Sequence, residues 1–383
     1  SGGFTMNLPA GVAGAIVSVA DYAGTWQTGN LTVSPNGSDK IGGVNADVVL
    51  NTQGQSVTFV FVDSTQGWIN TMDSTSNERA NAFMAATGGT ESTCGNCKIH
   101  TFTGPGTFTV TSTSPCAANN VVSYLVVAGG GGSGGDLAGG GGAGGYREVK
   151  SPVTPYTASP LDGYPSAPNR ITVTQTAFPI TVGGGGAAGS GPTVQEGCRG
   201  SPSIFSTITS TGGGAGMVRP SAQSGPPAPG KGPGGSGGGA CYNNGSNGSG
   251  NTPPVSPPQG NNGGTAPGST DAGVAGGGGA TAAGGAATPP STKQGNGGAG
   301  ATTSITGSPT AYAGGGGGGQ WSSGGGGTGG TGGGGAGGSN PGNINGTAGT
   351  ANTGGGAGGA HASGPAAGAA GGSGIVIIRY KFQ

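Results

Sequence analysis

Cys94-Gly95-Asn96-Cys97, followed by His100, is the sharpest chemical motif in the chain. Closely spaced thiols beside an imidazole suit haem attachment, dithiol redox chemistry or zinc binding. Haem attachment needs His directly after the second Cys, and Lys98 stands there. A redox motif of this spacing belongs in a βαβ context, and the surrounding sequence reads as all-β. A structural zinc site takes four ligands, which Cys94, Cys97, His100 and Cys116 supply in number. The plainer reading is one disulfide, Cys97–Cys116, or free thiols, with His100 packed on its strand. Cys198 and Cys241 fall in separate loops that a second bridge would staple together. The five cysteines leave at least one without an intrachain partner.

Other catalytic chemistry finds little support. His100 and His361 lie far apart in sequence, and neither stands in a recognisable nucleophile arrangement. The later carboxylates, Asp136, Glu148, Asp162, Glu196 and Asp271, are scattered, whereas glycan cleavage needs an acidic pair in one cleft. GxGxxG-like strings carry almost no information in a chain this rich in glycine, and no phosphate loop follows a strand. We expect no enzymatic activity and no cofactor. Asn-x-Ser/Thr triplets such as Asn244-Gly245-Ser246 are chance composition.

Binding residues are better marked. Large side chains stand alone among small ones: Gln320-Trp321 after six glycines, Tyr242-Asn243-Asn244 within another glycine region, and Tyr146 at the end of the first. Trp and Tyr are enriched where a surface meets a partner, sugars included. The competing reading makes Trp321 and Tyr312 a lid over the glycine region.

Those residues need a scaffold, and 99 of 383 residues are glycine. Glycine runs normally spell disorder, because glycine loses the most backbone entropy on ordering and has no side chain to bury. Here the runs are fed by short apolar strands: 124–128 into Gly129, 180–182 into Gly183, and Tyr312-Ala313 into Gly314. The chain then closes on the strand-like Ile375-Val376-Ile377-Ile378-Arg379-Tyr380. Collagen is excluded, since glycine holds no strict every-third position. The pattern predicts a bundle of polyglycine II helices: extended, threefold, with backbone groups paired sideways to neighbours. Backbone pairing would then stand in for a hydrophobic core.

Residues 1–72 differ. Alternating apolar segments, strongest over 56–63, predict a small all-β module too thin to bury much alone, so oligomerisation is expected. Residues 73–96 read as a connector, with a short helix or ordered link near 76–86. Residues 97–383 form a β-framed glycine-rich domain with essentially no α-helix, in which 146–169 and 217–262 read as loops. Charged residues are 6% and net charge is zero, with no basic cluster, so no nucleic-acid partner is expected. No apolar stretch is long enough for a spanning helix, and membrane insertion is not expected. The chain begins at Ser1, which we read as a processed terminus or a piece of a longer protein.

Two stretches resemble a known kind of protein. Residues 3–10, 19–26 and 30–33 resemble a module of bacteriophage tail-fibre proteins, notably those of marine phages. Residues 99–103, 124–130 and 373–380 resemble the glycine-rich domain of the same fibres. The resemblance implies a virion-borne, extracellular fibre, homotrimeric and joined to other tail proteins, whose loops on a polyglycine II scaffold contact a host-surface protein or glycan. The alternatives are a structural capsid or extracellular fibre without a receptor, and a glycan depolymerase.

Overall fold

The computed structural model describes residues 3–74, 83–189, 196–218, 232–241, 246–267, 273–288, 294–320, 324–339, 344–361 and 367–383. Among these residues the chain is all-β, with no α-helix and two short 3-10 turns. It divides into two compact units, Ser1–Ala80 and Asn81–Gln383.

The first unit holds β1 (Phe4–Asn7), β2 (Ile16–Ala20), β3 (Leu31–Ser34), β4 (Val48–Leu50), β5 (Ser56–Asp63) and β6 (Gly67–Ser74). They form two three-stranded sheets, β1-β3-β4 and β2-β5-β6. Period-two alternation sends Val57, Phe59 and Phe61 to one face of β5, where they meet Leu31, Val33, Leu50 and Trp68 in one buried cluster. The Asp21 carboxylate organises the turn after β2. It accepts from the backbone N–H of Thr25, Trp26 and Gly54 at 2.9, 3.1 and 3.0 Å.

The second unit is framed by β7 (Ala85–Thr87), β8 (Thr90–Cys94), β9 (Cys97–Phe102), β10 (Gly106–Ser112), β11 (Val121–Val127), β12 (Tyr146–Val149), β13 (Ile171–Thr172), β14 (Ala177–Thr181), β15 (Ser203–Phe205), β16 (Ile208–Ser210), β17 (Ala301–Thr303), β18 (Thr310–Tyr312) and β19 (Ile375–Lys381). Two elements of the expected connector are thus strands of this unit. The proposed helix near 76–86 falls largely outside the described residues, and its end, Ala85–Thr87, is β-strand.

The central sheet runs β12-β11-β19-β9-β8. The C-terminal strand β19 lies between β11 and β9, antiparallel to both. Alternation splits its side chains between two cores. Val376, Ile378 and Tyr380 join Tyr124, Val126 and Phe108 on the side that packs against the second sheet, β16-β15-β14-β10-β7. Ile375 and Ile377 join Leu125, Val127 and Ile99 on the other side, with Ile305 and Tyr312 of the β17–β18 hairpin.

Glycine segments connect these strands, and their amides bond to neighbouring segments. Along 139–145, Gly139, Gly142 and Gly145 donate to the carbonyls of Met217, Gly214 and Thr211. Gly140 and Ala143 donate to Ala275 and Gly278, and Gly141 and Gly144 to Ala357 and Gly354. The segment 314–319 behaves alike: Gly314 and Gly317 donate to Gly332 and Gly335, Gly315 and Gly318 to Gly298 and Gly295, Gly316 and Gly319 to Gly141 and Ala138. Each segment therefore addresses three neighbours in rotation. Parts of 217–262 expected as loops, among them 234–239, are members of this array.

Candidate functional site

The glycine segment that leaves β11 turns back at Asp136 and Leu137, and other segments bond to it around that turn. There Leu137 donates to the carbonyl of His361 at 3.4 Å, Gly189 to Ser133 at 3.0 Å and Gly368 to Gly189 at 3.3 Å. Asp136 and Leu137 make one turn with left-handed backbone, both at φ 51°. Ser133 fixes the segment that leads into it. Its hydroxyl donates to the carbonyl of Gly358 at 2.7 Å and accepts the N–H of Ala369 at 2.8 Å. The one hydroxyl interrupting Gly129–Gly135 was the sequence signal for this anchor. Ala240, Ala266, Ala275 and Ala287 form a small apolar cluster within the array.

Gln320 ends the segment 313–320 and is fully buried, its amide oxygen and nitrogen both without a hydrogen-bond partner. Gly324 closes over it: a Cβ there would collide with the Gln320 amide. Trp321, Tyr242, Asn243 and Asn244 lie outside the described residues. Tyr146 does not belong to a binding surface. It begins β12, its ring is buried in the second core, and its hydroxyl donates to Glu148 at 2.7 Å. A glycine run hands over directly to a strand there, so the tyrosine meets the core rather than solvent.

Glu148, one of the scattered carboxylates of the later chain, is buried. Besides Tyr146, its carboxylate accepts from the Ser159 N–H at 3.0 Å and the Thr303 hydroxyl at 2.5 Å. It thereby ties β12 to the loop at 159 and to the β17–β18 hairpin. Burial, with the carboxylate second, pushes the Tyr146 hydroxyl well above its ordinary pKa. Close by, Arg379 donates to the carbonyls of Ile305 and Pro155 at 3.0 and 2.9 Å and lies over the Tyr156 ring. Glu148 is satisfied by its three donors, whereas the Arg379 Nε is buried without a hydrogen-bond partner. Thr303 is 155 residues from Glu148, and no local pattern links them.

The cysteine motif is a hairpin turn. Cys94 and Cys97 pair across it, and Gly95 at φ 57° supplies the positive φ that a two-residue turn demands at its first position. The expected Cys97–Cys116 bridge is not formed: both thiols are free, Cys97 buried beside the sheet and Cys116 exposed before a 3-10 turn. Nor does a bridge join Cys198 to Cys241, the first exposed and the second buried. His100 packs on its strand. Nδ1 lies 2.7 Å from the Gly88 carbonyl, and the ring meets Phe108 edge-on and stacks with Tyr380. Burial holds its pKa below the ordinary value despite the opposing hydrogen bond and the Glu91 charge. Among the described residues no group of His, Cys, Asp and Glu is placed to hold a metal. No helix there is long and apolar enough to cross a membrane.

The strand frame and the glycine array together coincide with one family model, described as a glycine-rich domain, which matches residues 101–381. The chain belongs to this glycine-rich domain family. The match starts within β9 and ends at the last residue of β19, so the glycine-rich domain includes the closing strand as well as the array. A comparison with curated proteins finds no match.

Proposed function

We propose that the glycine segments are polyglycine II helices packed in a bundle, and that the chain is a virion fibre protein that attaches to the host cell surface. The supporting observation is the rotation of hydrogen bonds among three neighbours along 139–145 and 314–319. A threefold helix turns each successive N–H by a third of a turn, so every third residue faces the same neighbour. Burial has the same period over 183–189: Gly183, Gly186 and Gly189 are buried, while Gly184 and Ala187 are exposed. A Cβ on most array glycines would fall within 3.0 Å of a neighbouring backbone atom, which explains the composition.

A rigid bundle suits recognition by the loops that join its segments, because the ordering cost of those loops falls before a partner arrives. Receptor contact is assigned to the loops that join the segments, with Trp321, Tyr242, Asn243 and Asn244 as binding residues, whereas Gln320, marked beside them, is fully buried and supports the loop instead of meeting the receptor. The partner is a surface protein or glycan, bound without chemistry. The first unit is the assembly module, joining copies of the chain as a homotrimer and meeting other tail proteins. Exposed apolar side chains support that role: Phe4, Ile16, Tyr22 and Met72 are 58, 65, 86 and 69% exposed there.

Gold-labelled antibody against the full chain, applied to purified virions, tests the proposal, followed by blocking of adsorption with the soluble protein. Label at the tail and loss of adsorption are expected. Virions that bind no label, or adsorption that soluble protein leaves intact, would overturn it.

A further inference from the structure

We propose that Cys94 and Cys97 form a reversible disulfide across the β8–β9 hairpin. They are the last pair of the ladder, directly opposite one another, with only Gly95 and Asn96 between them. The closing pair of a two-residue hairpin exchanges hydrogen bonds, which sets its Cα atoms about 5.5 Å apart. That lies within the Cα range of roughly 4.4–6.8 Å for a disulfide. The Cβ atoms of such a hydrogen-bonded pair stand about 5.5 Å apart. They close by about 1 Å when the bridge forms, which makes the bond more reducible. Directly opposed residues also share a face. Ile99, two residues beyond Cys97, lies in the second core, and Cys94 packs against that same core. The thiols thus point the same way.

Their accessibilities differ in a way that orders the chemistry. Cys94 is half-buried and Cys97 fully buried. The Cys94 thiolate attacks a small disulfide oxidant such as oxidised glutathione, forming a mixed disulfide and expelling one glutathione thiolate. Cys97 then gives its proton to water and attacks the Cys94 sulfur, expelling the second glutathione. Two protein thiols become one disulfide, and the oxidant is reduced to two thiols. The hairpin is dithiol in a reducing cell and bridged outside it. Because the bridge spans a short loop, it restricts the unfolded chain little and shifts Tm little.

The full chain is equilibrated in mixtures of oxidised and reduced glutathione, quenched in acid, alkylated and peptide-mapped. The expected product is a 94–97 peptide two hydrogens lighter than the dithiol, restored by excess reduced glutathione, with the exposed Cys116 recovered as free thiol or glutathione adduct but never bridged to either Cys94 or Cys97. Cys97→Ser should trap Cys94 as its glutathione adduct, and Cys94→Ser should leave Cys97 unmodified in the folded protein. Alkylation of both Cys94 and Cys97 under oxidising conditions, a persistent glutathione adduct at Cys94 in the parent protein, or a Cys97–Cys116 peptide would overturn the proposal.

Discussion

A Cβ on Gly316 would fall within 3.0 Å of the Ala357 carbonyl oxygen and carbon, backbone atoms of a neighbouring segment. Gly316 also donates to the Gly141 carbonyl at 2.9 Å, so it cannot move away from one neighbour without loosening another. Gly316→Val should therefore destabilise the second unit by about 1–3 kcal/mol or more, as overpacking a dense core does. Gly325, exposed two residues before Gly327 of the array, has open space where its Cβ would be. Gly325→Ala should shift thermal unfolding hardly at all, and equal small shifts for both variants would contradict the packing.

Glu148 predicts a second, separate sensitivity. Glu148→Ala would leave the Tyr146 hydroxyl and the Ser159 N–H buried without an acceptor. A loss of about 3 kcal/mol is expected, since hydrogen bonds to a charged group are the stronger kind. Thr303→Val, which removes one of the three donors to Glu148 and the acceptor of the Ile305 N–H, should cost about 1–2 kcal/mol. Urea unfolding of the two variants gives the order, and a Thr303→Val as costly as Glu148→Ala would refute it.

Much of this was legible in the sequence. Alternation marked β5, and the apolar run after Gly374 marked β19 as the closing strand. Strand-to-glycine junctions marked where segments leave the sheets. What escaped were features set by distant contacts. Gly248 reads as a loop glycine between Asn247 and Ser249, yet a Cβ there would strike the Gly232 carbonyl, and its N–H donates to Gly238. Tyr146 reads as a stranded aromatic because sequence shows its glycine neighbours but not the distant Ile99, Ile305 and Ile377 that share its core. The Cys94–Cys97 spacing reads as chemistry, whereas the left-handed Gly95 makes it a turn. At the candidate site, Gln320 is marked by its place after the glycine run, but its complete burial, with Gly324 packed against its amide, cannot be read from composition.

His100 predicts a pH dependence in the second unit. Burial lowers its folded pKa below the ordinary 6.5. The unfolded chain then binds a proton that the folded chain refuses, so stability is full above pH 6.5 and falls as pH drops toward the lowered value. Urea midpoints of the second unit should decline over that window. In His100→Gln the decline should be absent, and an unchanged slope would show that another group causes it.

Asp21 predicts acid sensitivity in the first unit. Burial alone would raise its pKa, but backbone N–H groups, led by those of Thr25 and Gly54, outweigh burial and hold it below 3.8. Its contribution is present above the unfolded value and is lost as pH falls through the lowered folded value. Trp26 and Trp68 are both buried in this unit and report its unfolding by emission. Asp21→Asn should destabilise the unit at neutral pH and flatten its acid limb. Parallel acid limbs in parent and variant would refute the assignment.

The central claim is that glycine segments form an ordered, laterally bonded bundle, and amide hydrogen exchange of the full chain at Gly314–Gly319 tests it most directly. All six N–H groups donate to neighbouring segments. Protection comparable to that of β11 and β19 is the predicted result, because these amides open only when the bundle does. Exchange at random-coil rates across 314–319, with β11 and β19 still protected, would contradict it.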